Sequence, residues 1–243
     1  MPTVVFSDDF STDPNTNGRW RIHRLHGGDT ANEASWDAAD QTLYLTRATG
    51  DRAVAMFADY ELTATHWEAQ FRYKVGGGSG ADGFVFMFFK EEASYGEPGH
   101  GGFLGFQFQY GDGIPGYGVE FDGWLNPPGD QIGDPSSNHI ALIQDRVGNH
   151  LAYVDDSRTE DNMWHDALIQ FHDGHVIVQI DEEPVLDYLI TDPDYTFSGV
   201  GFSSATGIIT NNHIIDDFIL RILEPPTEPF TGTISPVYPT AHT

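Results

Sequence analysis

Residues 116–142, GYGVEFDGWLNPPGDQIGDPSSNHIAL, begin and end like buried β-strands and carry an acidic, amide-rich segment between them. The segment holds one Glu, three Asp, two Asn and one His. Three explanations account for so many anionic and ligating groups beside a core: a metal site, a pair of catalytic carboxylates, or a solvated polar loop.

Short β-rich runs recur along the chain and predict an all-β fold. They include FVFMFF (84–89), LGFQFQY (104–110), HIALIQD (139–145) and HVIVQI (175–180), with Gly and Pro scattered between them. No stretch shows a sustained helical period of apolar residues. The chain has 243 residues, of which 13% are aromatic, enough for a large two-sheet core. We therefore predict one antiparallel β-sandwich domain over residues 1–223.

The two ends of the chain carry different signals. Residues 224–243, EPPTEPFTGTISPVYPTAHT, are rich in Pro and Thr and predict an extended linker or tail. The N-terminus, MPTVVFSDDF, enters a strand without the charged and apolar regions of a signal peptide. These features predict a module excised from a longer extracellular or cell-surface protein.

Charge and composition exclude several classes of partner. The chain has 37 acidic and 11 basic residues and a formal net charge of -26, which repels nucleic acid and anionic lipid surfaces. Cysteine is absent, which excludes disulfides, thiolate metal sites and a Cys nucleophile. No apolar run approaches the roughly 20 residues that membrane insertion requires.

Individual strands follow from local patterns. Early strands are predicted at 1–10, 20–25, 35–36 and 43–46, separated by Asp, Asn and Gly turns.

Three later patterns are more specific. EAQFRYK (68–74) alternates as a half-buried strand does, whereas FVFMFFK (84–90) is apolar up to Lys90 and predicts a central strand covered on both faces. A tight turn with Gly at positive φ is predicted at 172–174.

The acidic segment places two carboxylates together. Alternate side chains of an extended chain share a face, so Glu120 and Asp122 project to the same side. Neighbouring carboxylates repel unless a proton or a cation lies between them. Asp134 and His139 lie beyond the Pro-Pro-Gly turn and are placed to complete a metal shell. Calcium takes roughly 6 to 8 oxygen ligands, and an imidazole beside carboxylates also suits manganese or a similar metal.

The sequence VEFDGWLN (119–126) followed by DPSSNHIAL (134–142) resembles the metal-binding segment of the L-type lectins, the family of legume seed lectins and their relatives. Three further pieces match in the family's order: ADGFVFMF (81–88), GGFLGF (101–106) and VGFSSATG (200–207), and HIIDDF (213–218) resembles the family's closing strand. The resemblance covers about residues 80–222. It implies a concanavalin-like jelly-roll β-sandwich that binds glycans reversibly with calcium and does no chemistry on them.

The resemblance also implies roles for particular residues. A transition metal such as manganese is bound by Glu120, Asp122, Asp134 and His139. Calcium is bound by Asp122, Asn126, Asp134 and the Trp124 carbonyl. Sugar is contacted by Asp82, which follows a cis peptide after Ala81, by the Gly102 backbone, by the Asn126 amide and by the Trp124 ring. Asn211 and Asn212 lie in the loop that sets sugar specificity.

Departures from the family leave two points open. The loop after Asn126 is longer than the plant pattern, so Asp130 competes with Asp134 as a ligand. The specificity loop is shorter than in many legume members, which leaves mannose and galactose as alternatives. His213 is predicted to be structural. Six further histidines lack ligand spacing and are predicted to lie at the surface: His23, His26, His150, His165, His172 and His175.

Two rival functions remain on the same fold. Some glycoside hydrolases of this sandwich carry a Glu-x-Asp-x-Glu strand, and EFDGW begins that way but has Trp124 where the second Glu belongs. An acid from elsewhere, such as Asp112, is needed to restore a catalytic pair. A protein-binding adhesion module is the other rival, because fold does not fix function. Relatives often pair edge strands, so a homodimer is one expected assembly.

Overall fold

The computed structural model describes residues 2–92, 96–109, 111–127, 132–191 and 196–223. The predicted linker at 224–243 and the alternative ligand Asp130 lie outside these ranges. Within them, no helix is long and apolar enough to cross a membrane.

Fifteen strands account for most of the described chain. They are β1 Thr3–Asp8, β2 Trp20–Arg24, β3 Glu33–Asp37, β4 Thr42–Thr46, β5 Arg52–Ala58, β6 Trp67–Gly76, β7 Gly83–Phe89, β8 Gly116–Asp122, β9 His139–Gln144, β10 Arg146–Asp155, β11 His165–His172, β12 His175–Ile180, β13 Glu183–Leu189, β14 Gly199–Thr206 and β15 Asn212–Ile222. The described helical structure consists of two 3₁₀ turns, Gly101–Phe103 and Ser157–Thr159.

The strands form two antiparallel sheets. One sheet has the order β13-β12-β11-β6-β15-β4-β3, with β1 also paired to β15. The other has the order β10-β9-β8-β7-β14-β5-β2. Aromatic and aliphatic side chains from the facing sides of both sheets form the main core, which confirms the predicted antiparallel sandwich.

Strand β7 is buried on both faces, as its unbroken apolar run predicts. Phe84, Phe86 and Phe88 enter the main core, and the intervening Val85, Met87 and Phe89 enter a second apolar cluster on the outer face of the seven-stranded sheet. Residues 98–109 and 111–115 cover this outer face and contribute Leu104, Phe106 and Ile114 to the second cluster. The seven-stranded sheet therefore offers two dry faces, and the polar residues of β8 must find partners within one of them.

Strand β6 shows the simpler half-buried pattern that its alternation predicts. Its odd positions from Trp67 to Tyr73 are fully buried, while the even positions from Glu68 to Lys74 are half-buried. Each fully buried large side chain contributes on the order of 1.5–3 kcal/mol.

The predicted strand LGFQFQY is the main error in the fold prediction. Residues 104–109 follow a 3₁₀ turn, and their sheet-like pairing is limited to the isolated bridges Pro98–Phe108 and Gln107–Gly113. A Cβ at Gly105 would lie 2.4 Å from the Val54 carbonyl oxygen, so the segment crosses the sheet in close contact. Leu104 and Phe106 are buried by that contact instead of by a ladder, which explains the misleading alternation.

His213 lies in a polar bridge between the two sheets. Its Nδ1 is 2.7 Å from Thr46 Oγ1, which is 2.9 Å from Ser204 Oγ on the opposite sheet. Burial lowers the pKa of His213 to about 3, so the ring is neutral at pH 7. These contacts give His213 a structural role, because they help to join the two sheets.

Candidate metal centre

The strand pair β8–β9 brings the predicted metal ligands together. Asp122 pairs directly with His139, and Glu120 pairs with Val85 of the second apolar cluster, so both carboxylates occupy the outer face. Val119 and Phe121 point to the main core. Glu120, Asp122 and His139 are each 0% exposed. The alternation of VEFD therefore places two carboxylates in a dry environment.

The loop after β8 returns to the same point. Asp122 Oδ1 accepts a hydrogen bond of 2.5 Å from the Trp124 backbone N–H. Asp134 Oδ2 accepts one of 2.6 Å from the Asn126 N–H, and the Asp134 N–H donates to the Asn126 carbonyl at 3.1 Å. These bonds hold Asn126 against Asp134 at the point where the loop approaches β8.

Ligand atoms from five residues form two overlapping clusters. One set joins Asp122, Asp134 and His139, and the other joins Glu120, His139 and His150; within each set the atoms lie within 4.8 Å of one another. His139 belongs to both sets. The arrangement can hold two adjacent cations, with hard oxygen ligands on one side and imidazoles on the other.

Two histidines predicted to lie at the surface are in fact enclosed. The side chain of His150 is 11% exposed, and its Nε2 lies 3.0 Å from Glu120 Oε2. The side chain of His165 is 9% exposed and lies between Asp161, 3.0 Å away, and Asp181, 2.7 Å away. The sequence spacing of His150 gave no sign of this contact, because a register shift in β10 creates it.

Burial and mutual repulsion dominate the electrostatics of this cluster. Burial, together with the charges of Glu120 and Asp134, holds the pKa of Asp122 well above its ordinary value. Burial also raises the pKa of Asp134 to about 6, even though the Asn126 N–H opposes the shift. For Glu120 burial acts in the same direction, but the neighbouring imidazoles of His139 and His150 outweigh it and lower its pKa. A cation between Asp122 and Asp134 would favour the charged forms of both carboxylates.

Unpaired buried atoms test whether metal ions fit. Among the described residues, twelve buried side-chain N or O atoms have no hydrogen-bond partner, and six lie here: Asp82 Oδ2, Glu120 Oε1, Asp122 Oδ2, Asn126 Oδ1, Asp134 Oδ1 and His139 Nε2. Leaving such an atom without a partner costs about 1–3 kcal/mol. Five oxygens and one imidazole nitrogen suit divalent cations, so the residues fit the metals that the sequence predicts.

Asp82 lies beside the metal cluster at the start of β7. A cis peptide joins Ala81 to Asp82, and the Asp82 carbonyl accepts a hydrogen bond from the Gly123 N–H at 2.9 Å. Oδ2 of the carboxylate has no hydrogen-bond partner among the described residues. Burial, with the charges of Asp134 and Asp51, raises the pKa of Asp82 to about 7.

Two glycines allow other loops to approach these polar groups. Gly102, in the 3₁₀ turn, lies directly over Asn126, since a Cβ at Gly102 would be 2.5 Å from Asn126 Oδ1. A Cβ at Gly207 would lie 3.4 Å from Asp82 Oδ2. Four loops therefore meet at one place, and they contribute Asp82, Gly102, Asn126 and Gly207. Gly207 was not a predicted site residue, although it ends the motif VGFSSATG.

Exposed apolar side chains lie beside the place where these four loops meet. Trp124 is 39% exposed and Leu125 is 47% exposed, and both belong to the loop that carries Asn126. Ile208, which follows Gly207, is 92% exposed. An aromatic and two aliphatic side chains thus border the polar groups of Asp82 and Asn126.

Asn211 and Asn212, predicted in the specificity loop, make hydrogen bonds to neighbouring loops. Asn211 is 2% exposed; its Oδ1 accepts from the Gly78 N–H and its Nδ2 donates to Glu160. Asn212 Oδ1 accepts from the Ala48 N–H, and its Nδ2 donates to the Gly76 carbonyl. Each end of both amides makes a hydrogen bond within the protein, so these side chains hold neighbouring loops.

We expect Gly102→Ala to weaken ligand binding at this site. The new Cβ would lie 2.5 Å from Asn126 Oδ1 and 2.7 Å from Ile132 Cδ1, so the Asn126 loop must shift. A loss of about tenfold or more in affinity, equal to about 1.4 kcal/mol, is the expected result in calorimetric titrations. Gly28→Ala is the matched control because its Cβ meets no atom within 4 Å. Equal affinities for the two variants would contradict the close approach.

Solved structures with the same architecture are lectin domains. The exoplasmic/lumenal domain of VIP36 in its Ca2+/Man2-bound form matches with a TM-score of 0.67 at 16% identity, over 93% of this chain and 90% of that chain. The Lotus tetragonolobus seed lectin gives a TM-score of 0.68 at 16% identity, over 91% and 100%. The Bauhinia forficata lectin in complex with GalNAc gives 0.65 at 18% identity, over 91% and 98%.

Sequence comparisons give no further assignment, since no family model and no curated protein matches this chain. The structural matches span nearly the whole of both chains. They establish that the chain has the L-type lectin fold predicted from its motifs.

Proposed function

We propose that this domain binds glycans reversibly, without catalysis, through a site ordered by calcium. The observation that carries the proposal is the convergence of six unpaired, buried polar atoms from Asp82, Asn126 and the carboxylate–histidine cluster. Neighbours of the same fold lend support, because VIP36 was solved in Ca2+/Man-bound and Ca2+/Man3GlcNAc-bound forms.

Calcium is assigned to the oxygen-rich side of the cluster. Asp122, Asp134, the Asn126 side-chain oxygen and the Trp124 carbonyl are its proposed ligands. The support is that Asp122 Oδ2, Asp134 Oδ1 and Asn126 Oδ1 are all buried and unpaired. Calcium neutralises the repelling carboxylates and holds Asn126 and Asp134 beside Asp122.

A second metal, manganese or a similar ion, is proposed beside calcium. Its ligands are Glu120, Asp122, Asp134 and His139. The unpaired Glu120 Oε1 and His139 Nε2 support this assignment, because each supplies a lone pair within the cluster.

The proposed sugar contacts are Asp82, Gly102, Asn126 and Trp124. The Asp82 carboxylate accepts hydrogen bonds from two sugar hydroxyls, the Gly102 N–H and the Asn126 amide donate, and the Trp124 ring covers the C–H surface. Asp82 must be ionised for this role, and a bound calcium ion nearby favours that state. Asn211 and Asn212 act indirectly, by holding the loops at 76–78 and 48.

The glycoside hydrolase alternative lacks an accessible catalytic pair. Glu120 and Asp122 are each 0% exposed, so neither reaches a glycosidic oxygen. Trp124 replaces the second Glu of the hydrolase pattern. This geometry supports a non-catalytic binding module over a hydrolase.

An extracellular or lumenal setting suits this proposal. The VIP36 match is an exoplasmic/lumenal domain, and modules in such settings bind calcium with dissociation constants of roughly 10⁻⁴–10⁻³ M. The net charge of -26 disfavours nucleic acid and anionic membrane surfaces as partners. A homodimer through an open sheet edge stays a proposal.

A glycan array probed with and without a calcium chelator tests the proposed function. We expect binding to a restricted set of glycans in calcium, and loss of that binding in chelator. Binding that persists in chelator rejects the calcium-ordered site. Turnover of an arrayed oligosaccharide, lost in Glu120→Gln, favours the hydrolase instead.

A further inference from the structure

Strand β10 reaches the metal cluster because its pairing with β9 is irregular. Asp155 pairs with His139 and the register runs evenly to Ala152, which pairs with Leu142. His150 then pairs with Ile143, and Arg146 with Gln144, so extra residues are accommodated on β10 at both steps. Bulges of this kind redirect side chains.

The register shift between Ala152 and His150 determines the face of the sheet to which the His150 side chain points. Ala141 and Ile143 of β9 lie in the second apolar cluster, on the same outer face as Glu120. Regular pairing would set Leu151 opposite Ile143. The bulge sets His150 there instead, and its ring turns toward Glu120.

His150, His139 and Glu120 have the spacing of metal ligands. His150 Nε2 lies 3.0 Å and His139 Nε2 lies 3.4 Å from the same Glu120 oxygen, Oε2. The two rings have centroids 5.5 Å apart and planes inclined by 73°. A tetrahedral zinc ion with bonds of about 2.0–2.1 Å separates its donor atoms by roughly 3.3 Å.

The tautomer of His139 leaves room for a cation between its ring and Glu120. Its Nδ1 is 3.1 Å from the Ser136 carbonyl oxygen, which only accepts, so Nδ1 carries the proton. In the neutral ring Nε2 therefore presents a lone pair toward the Glu120 carboxylate, and it makes no hydrogen bond to any described residue. Two opposed lone pairs in a site that is 0% exposed require a proton or a metal ion between them.

We propose that Glu120, His139 and His150 form a two-imidazole, one-carboxylate site that selects zinc, or another nitrogen-preferring divalent ion, over manganese. The inference rests on the second metal of the proposed function and names its class. Affinity for nitrogen ligands rises from manganese to zinc, and a second imidazole widens that gap. In this assignment His150 takes the place that the four-residue set above gave to Asp122 and Asp134, which stay with Asn126 as calcium ligands, so the two ions divide the cluster by ligand chemistry.

The test is metal binding by the intact chain without any sugar. Metal-free protein is titrated with Zn²⁺, Co²⁺ and Mn²⁺ in the presence of calcium, and bound metal is counted by mass spectrometry. We expect one Zn²⁺ per chain, bound at least about tenfold more tightly than Mn²⁺. His150→Gln keeps a donor beside Glu120, and should weaken Zn²⁺ and Co²⁺ by about 10–100-fold while changing Mn²⁺ much less. The matched control is His172→Gln, on the opposite sheet.

A spectroscopic readout needs no variant. X-ray absorption of the zinc-loaded chain should show two imidazole ligands, and the Co²⁺ absorption bands should change in His150→Gln. One imidazole, or unchanged Zn²⁺ affinity in His150→Gln, overturns the inference and leaves His150 as a hydrogen-bond partner of Glu120. Sugar binding that depends on calcium separates this outcome from failure of the proposed function, because zinc plays no part in that measurement.

Discussion

Replacing Asp82 with Asn should abolish glycan binding and leave the fold intact. Asp82 Oδ2 is a buried acceptor without a partner among the described residues, and the exposed residues Trp124 and Ile208 border its surroundings. The substitution keeps the shape of the side chain and removes its charge. Each hydrogen bond to a charged group contributes about 1.5–3 kcal/mol, so loss of two weakens binding by roughly 100-fold or more.

The folded state should not lose stability in this variant. Burial raises the pKa of Asp82 to about 7, which means that the charged form is disfavoured when no cation is bound. An uncharged amide of equal size removes that cost. Thermal unfolding of metal-free Asp82→Asn should therefore begin no lower than that of the unsubstituted chain.

Asp51→Asn is the control for charge near the site. The Asp51 side chain is 60% exposed, and its charge contributes to the raised pKa of Asp82. Calorimetry with a glycan identified on the array should give an affinity within about threefold of the original. Undiminished binding by Asp82→Asn would remove Asp82 from the site and with it the proposed sugar contacts.

Removing divalent ions should eliminate glycan binding and lower the melting temperature. A ligand at 100 times its dissociation constant stabilises the folded state by about 2.7 kcal/mol, or roughly 5–10 °C for a domain of this size. The physical reason is that Glu120, Asp122 and Asp134 repel one another once the ions leave. Differential scanning calorimetry with and without chelator measures the shift.

Adding calcium back should restore glycan binding and the melting temperature, and low pH should reduce this effect of calcium. Since the pKa of Asp134 is raised to about 6 and that of Asp122 lies well above its ordinary value, the metal-free site takes up protons as the pH falls through 6. Protons then compete with calcium, so more calcium is needed at pH 5 than at pH 7.5. A melting temperature that is unchanged by chelator at pH 7.5 would contradict the metal centre.

Local patterns predicted the parts of the site that lie on regular strands. The alternation of VEFD placed Glu120 and Asp122 on one face, and the unbroken apolar run placed β7 between two cores. Both inferences depend only on the two-residue period of a strand. The family motifs added the cis peptide at Asp82, which no periodicity indicates.

The errors arose where tertiary contacts decide the structure. His150 meets Glu120 only because β10 shifts register, and the one sequence signal for a bulge there is Gly148 within RVGNHLAY. The hydrogen bonds of the Asn211 amide with Gly78 and Glu160 are likewise tertiary contacts that no local pattern indicates. Strand β5, RAVAMFA, lacks a distinctive pattern and was not predicted, although every residue after Arg52 is buried between β14 and β2.

The irregular register of β10 also affects how copies of the domain meet. β10 is the outermost strand of its sheet, and its displaced residues interrupt the even row of free N–H and C=O groups along that border. An uninterrupted row is a template for strand addition and aggregation. The distortion that turns one histidine inward therefore also protects this border of the sandwich from uncontrolled self-association.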